Sequence, residues 1–300
     1  MEKVVVITGP TGVGKTKLSI EIAKMFNGEI INSDASQFRK GLNIGTAKIT
    51  SSEMDGIKHH LIDTLDTLDD YSVKEYQQDA RKLISEISSS GKLPIMVGGT
   101  GLYISSTLYD YHFEESSGFD ESIYDEYDNH TLHQMLESLD FESSKNVHEN
   151  NRRRVIRAIE IAKNNEKLLS DNKDGDVLLY DALIICLNCD REVLYNRINQ
   201  RFEVMINDGW IDECRNLKAS GIDLRKIKDI GYSDIDRYLS NEISYEELSE
   251  TVKKKTRNYS KRQLTWFRNK MDAIFINVDY ENYENTISNV SNLIKDYLNK

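Results

Sequence analysis

The stretch Gly9-Pro10-Thr11-Gly12-Val13-Gly14-Lys15-Thr16 constrains this chain more than any other, because it satisfies Gly-x-x-x-x-Gly-Lys-Ser/Thr at every fixed position. It follows the apolar run Val4-Val5-Val6-Ile7, so it reads as a strand feeding a tight turn and then a helix, expected over Lys17 to Phe26. Glycines let the backbone curl until successive N–H groups point inward, and the helix adds the positive end of its dipole. That arrangement cradles a di- or triphosphate, with Lys15 over the phosphates and the Thr16 hydroxyl on a Mg²⁺ ion. The motif implies a bound diphosphate without naming what the diphosphate is attached to.

Further strands are expected at Glu29 to Ser33, Pro94 to Val97, Ala182 to Leu187 and Ala273 to Val278, about five in all, with helical patterns between them. Alternation of this kind indicates a doubly wound α/β fold with a parallel sheet, in which ligands sit beyond the carboxyl ends of the strands. Three loops rich in functional groups, at 9–16, 34–37 and 98–101, are therefore expected to meet in one crevice. A P-loop ATPase or kinase usually ends a strand with an Asp that serves the metal. The strand at Pro94 runs into Gly98-Gly99-Thr100-Gly101 instead, which leaves Asp34 as the strand-end carboxylate, available to the metal or to a substrate proton.

Residues 111–180 differ in character: acidic, rich in Ser, Asn and Tyr, and helical in pattern over Tyr124 to Leu139 and Arg153 to Lys163. They read as an inserted helical module, dividing a catalytic domain of residues 1–110 and 181–300. Asp190 to Leu217 reads as one long helix on which Arg197 and Arg201, four apart, share a face and could close over an anion.

Net charge is −11, which by itself argues against a polyanionic partner. The distribution reverses that argument: residues 111–150 hold eleven acids and one lysine, whereas 251–270 hold eight cations and no acid. On a helical period Leu248, Val252, Tyr259 and Trp266 share one side of this last stretch and Lys254, Arg257, Lys261 and Arg268 the other. A basic face with aromatic residues beside it suits unpaired nucleic acid. Three cysteines, Cys186, Cys189 and Cys214, are too few for a zinc site and are expected to be buried thiols. No apolar run reaches the length of a membrane span and the strand begins at once after Met1, so a cytoplasmic protein without a membrane partner is expected.

Together these pieces resemble the bacterial tRNA dimethylallyltransferases, also called tRNA isopentenyltransferases, of the P-loop fold. The resemblance rests on Gly9 to Thr16, Asp34 with Gln37, Gly41 to Lys48, His59 to Asp63, Val97 to Tyr103, Arg154 to Glu160, Gly231-Tyr232 and Lys261 to Arg268, in order, over nearly the whole chain. It implies transfer of a dimethylallyl group from its diphosphate to N6 of adenosine 37, next to the anticodon of tRNA; a monomer is expected. Asp34 would take the N6 proton, Thr100 orient the base, and Arg201 stabilise the leaving diphosphate held by the cradle and Mg²⁺. By the same correspondence Asp34, Ala35, Ser36, Gln37, Thr100, Arg153, Arg154, Arg157, Lys228, Gly231, Tyr232, Lys261, Arg262, Gln263 and Arg268 would contact tRNA. The helical module would clamp the anticodon stem-loop, and His59 and His60 would be structural.

The chain departs from the family at Ala35 and Ser36, where Ser-Met is usual, at Arg39, where an aromatic is usual, and at Ser233, where a basic residue is common. Three other readings stay open on the sequence: prenylation of a free adenine nucleotide, a small-molecule kinase, and a non-catalytic RNA-binding protein.

Overall fold

The computed structural model describes residues 1–113, 121–164 and 177–300; parts of the acidic segment and of the expected insertion, at 114–120 and 165–176, lie outside the described residues. Two compact units are present, one of residues 1–108 with 178–300 and one of residues 109–177.

The first unit is built on six parallel strands: β1 (Lys3–Thr8), β2 (Gly28–Asn32), β3 (His59–His60), β4 (Leu93–Gly98), β5 (Asp181–Asn188) and β6 (Ile274–Asn277). Their order is β3-β2-β4-β1-β5-β6. Strand β1 lies at the centre, with Val5 between Ile95 and Leu183, and its unbroken apolar run is what a strand covered on both faces needs. Helices α1 (Lys15–Met25) and α11 (Tyr283–Leu298) bury Leu18, Ile22, Val290 and Ile294 in the same core as Val5, Ile7, Ile95 and Ile185. Helix α2 (Val73–Ser89), started by a Ser72–Glu75 capping box, supports β4, and α3 (Gly101–Leu108) follows that strand.

The sheet has one strand more than the sequence indicates. Strand β3 is two residues long, His59 and His60 beside Ile30 and Ile31, too short for any alternation of apolar and polar residues to show. His60 Nε2 lies 2.6 Å from Glu29 Oε2, a buried carboxylate also bonded to Lys92, so the histidine serves the fold.

The expected single helix from Asp190 is two. Helix α7 (Arg191–Asn207) ends at Asp208, and α8 (Trp210–Ala219) starts after Gly209 at φ 99°, a left-handed turn that lets Trp210 drop into a second core. That core joins Phe202, Trp210, Cys214, Leu217, Tyr232 and Leu248, from α7, α8, α9 (Tyr232–Leu239) and the long α10 (Tyr245–Lys270), with Leu42 from the loop between β2 and β3.

The second unit packs α4 (Asn129–Leu139), α5 (Phe141–Asn146) and α6 (Arg152–Asn164) around Leu132, Leu136, Val155, Ile156 and Ile159. Helix α4 starts five residues later than the pattern suggests, because the Asp128 carboxylate caps it by accepting from Thr131 N at 2.7 Å. Among the described residues no helix is long and apolar enough to cross a membrane.

Candidate active site

The glycine-rich loop between β1 and α1 is fixed from outside by groups far away in the chain. Arg197 Nε donates to Gly12 O at 2.9 Å, the Tyr280 hydroxyl to Val13 O at 3.1 Å and the Tyr283 hydroxyl to Gly14 O at 2.8 Å. Three consecutive carbonyls held by side chains in this way fix the shape of the loop. Lys15 Nζ crosses the mouth of the loop and donates to Gly9 O at 2.9 Å and Pro10 O at 3.0 Å. Burial pushes the Lys15 ammonium down to about 8, against the pull of the Asp34 charge.

Asp34 stands at the end of β2 and is held tightly. The Asn32 side chain accepts from Asp34 N at 3.0 Å and donates to Asp34 O at 3.1 Å, and Asp34 Oδ1 accepts from Ser36 N at 3.1 Å. The third loop closes against it: Thr100 N donates to Ser33 O at 3.2 Å and Thr100 Oγ1 accepts from Ala35 N at 3.1 Å. Gly98 permits this approach, since a Cβ there would come within 2.1 Å of Ser33 O.

The expected convergence of the three loops is therefore present. A cavity of about 470 Å³ is lined by Thr11, Arg201, Asp34 and Ser36, by the apolar Ile198, Met205 and Val252, and by the aromatic Phe38, Tyr103, Phe202 and Tyr259. That is the size and lining of a small-molecule site. Arg201 donates to Thr11 Oγ1 at 3.3 Å, and burial lowers its pKa while the Asp34 charge raises it. Its neighbour Arg197 does not share this duty; it is spent on Gly12 and on the Tyr280 ring, 4.2 Å from the centroid.

A Mg²⁺ ion fits the residues present. Thr16 and Asp34 line a small cavity of about 40 Å³ with Lys15, and hard oxygen donors beside a phosphate site are what this cation uses, most of its remaining ligands being water and phosphate. Among the described residues no cluster of three His, Cys, Asp or Glu could hold a metal alone. Cys186 and Cys214 are buried free thiols and Cys189 is half-buried.

Several residues expected at an RNA surface lie elsewhere. Gln263 is buried; its Oε1 accepts from Thr11 N at 2.9 Å and its Nε2 donates to Gly99 O at 2.9 Å, so it ties the cradle to the third loop. Tyr232 is fully buried and donates to Glu213 Oε1 at 2.7 Å. Gly231 is buried against Trp210, whose ring a Cβ would meet at 2.2 Å. Arg257, expected on the basic face of α10, turns inward to Asn199 Oδ1 at 2.8 Å.

Others are exposed as expected. Lys261, Arg262 and Arg268 are exposed on α10, and Arg262 also lines the cavity. Lys228 is exposed and paired with Asp70 at 2.8 Å. Ala35, Ser36, Gln37 and Thr100 are half-buried. In the second unit Arg153 and Arg154 are exposed and Arg157 half-buried on α6, with Arg153 lying 3.4 Å from Glu121. The roles of Tyr280 and Tyr283 had no signal in the sequence, because nothing local marks a tyrosine that will reach back some 270 residues.

Fold and site together define a P-loop α/β protein whose glycine-rich loop shares its cavities with an acid and with apolar and aromatic side chains. The profile of the IPP transferase family matches residues 37–270. The chain is 48% identical to the tRNA dimethylallyltransferase of Bacillus cytotoxicus over 286 residues, 92% of this chain and 90% of that protein, and equally so to that of Bacillus mycoides. Its structure is similar to the full-length tRNA isopentenylpyrophosphate transferase of Bacillus halodurans, with a TM-score of 0.76, 39% identity and coverage of 100% and 97% of the two chains. It is also similar to a eukaryotic dimethylallyltransferase acting on tRNA, with a TM-score of 0.83, 27% identity and coverage of 99% and 80%. The chain belongs to the IPP transferase family.

Proposed function

We propose that this protein transfers the dimethylallyl group of dimethylallyl diphosphate to N6 of adenosine 37 in tRNA and releases diphosphate. The observation that carries the reading is that Asp34 shares one cavity with Thr11 and Arg201 and a second, smaller one with Lys15 and Thr16. The cradle amides, Lys15 and Arg201 hold the diphosphate, and the apolar wall from Ile198 to Met205 and Val252 suits the five-carbon chain. Mg²⁺ on Thr16 supplies further positive charge to the leaving group when bound.

The adenine amine is a weak nucleophile because its lone pair is delocalised into the ring. As N6 bonds to C1 of the allyl group, the C1–O bond to diphosphate breaks and the N6 proton passes to the Asp34 carboxylate. General-base assistance of this type contributes about 10² to 10⁴ in rate, and each well-placed donor to the departing oxyanion about 3 to 4 kcal/mol. Because the base must leave its stack to enter the cavity, the protein needs a grip on the surrounding RNA. Lys228, Lys261, Arg262 and Arg268 provide cations around the sheet end, and Arg153, Arg154 and Arg157 provide them on the helical insertion that clamps the stem-loop.

Radiolabelled dimethylallyl diphosphate is the direct probe, supplied with unmodified tRNA, with free AMP, and with a tRNA carrying guanosine at position 37. Label in the first acceptor alone is expected. Label in AMP would assign the protein to free-nucleotide prenylation, and no label in any acceptor would remove the transferase reading.

A further inference from the structure

Asp229, just ahead of α9, lines the same cavity as Asp34, with its side chain 12% exposed. Its Oδ2 is buried without a hydrogen-bond partner. The Arg39 guanidinium lies 3.9 Å away, near enough to lend charge but beyond a hydrogen bond. That guanidinium donates instead to the carbonyls of Ala35 at 3.4 Å and Asp69 at 3.2 Å. Burial raises the Asp229 carboxyl, while the Ser36 hydroxyl and Arg39 pull it back and the Asp34 charge adds to the rise. The second orphan on this wall, Trp210 Nε1, packs on Gly45, where a Cβ would meet it at 2.2 Å, so it faces protein. Asp229 Oδ2 is thus a buried acceptor beside the cavity that no protein donor satisfies.

A carboxylate repels phosphates, so its place in a pocket that admits a nucleotide calls for a donor on that nucleotide. An adenosine inside an RNA strand has two kinds of donor, the N6 amine and the ribose 2′-hydroxyl, since its 3′ and 5′ oxygens are esterified. In the function proposed above, on which this inference rests, Asp34 takes the amine. We infer that Asp229 accepts a hydrogen bond from the 2′-hydroxyl of the adenosine entering the cavity, and so determines preference for RNA over DNA at that nucleotide.

The test compares kcat/KM of the wild type, Asp229→Ala and Asp229→Asn on an anticodon stem-loop RNA and on the same RNA carrying one 2′-deoxyadenosine at position 37. The wild type is expected to lose about ten- to a hundredfold on the deoxy substrate, the worth of a hydrogen bond to a charged acceptor. Asp229→Ala is expected to lose as much on the all-ribose RNA and then to treat both substrates alike. Asp229→Asn keeps an acceptor oxygen and is expected to keep part of the discrimination; it carries the comparison alone if the alanine variant does not fold, as its melting curve would report. A wild type indifferent to the deoxy substitution, or an alanine variant that discriminates as the wild type does, overturns the inference. A wild type inactive on the all-ribose RNA overturns the proposed function instead.

Discussion

Lys15 is the residue whose surroundings make the clearest statement about its chemistry. An ammonium held near 8 by burial is partly neutral in mildly alkaline solution, and an arriving diphosphate restores its preference for the charged form. Binding therefore takes up a proton around pH 8, and affinity falls as pH rises past that value, approaching about tenfold per unit on the alkaline side. Pyrophosphate titrated calorimetrically at pH 8 in two buffers of different ionisation heat reads that proton directly. Lys15→Arg, which stays charged, is expected to lose the lysine's share of the uptake; equal uptake in both proteins would show that Lys15 is not the group that titrates.

At the scale of elements, α10 does two tasks that its sequence presents as one. Its outer cations suit RNA, yet Lys253 pairs with Glu203 at 2.6 Å and Lys255 with Asp234 at 2.8 Å, so part of the basic stretch holds the fold. Gln263 belongs to this inner set. Gln263→Ala strands Thr11 N–H and Gly99 C=O and is expected to cost about 1 to 3 kcal/mol of stability, with weaker pyrophosphate binding and unchanged tRNA affinity. Denaturant unfolding and a tRNA titration separate the outcomes; a loss of tRNA affinity alone would return Gln263 to the RNA surface. The family correspondence of Lys261 to Arg268 assigns the glutamine to the RNA surface with its cationic neighbours, while the burial that decides its role comes from loops 164 and 252 residues away. The same limit applies to β3, too short to carry a pattern, and to the break at Gly209, which sits inside an otherwise continuous helical run. The cradle was legible because its chemistry is local: spacing, strand before and helix after are all contained in some twenty residues.

Across the whole molecule, function depends on distant pieces of chain reaching one sheet end. Thr11, Asp34, Thr100, Arg201, Asp229 and Gln263 come from six segments; the meeting of the loops that carry the first three was readable through the rule that parallel sheets bind ligands beyond their carboxyl ends, and Arg201 through its spacing from Arg197. Asp229 carried no signal, since one acid in a surface-like turn is ordinary until its burial is seen. In the proposed reaction one cavity holds the diphosphate donor against the acid that takes the acceptor's proton. Asp34→Ala tests it most directly, with tRNA binding and single-turnover transfer measured on the same preparation. The expected tRNA affinity is within a few-fold of wild type and the expected transfer rate lower by about 10² to 10⁴; transfer at the wild-type rate would remove Asp34 from the reaction.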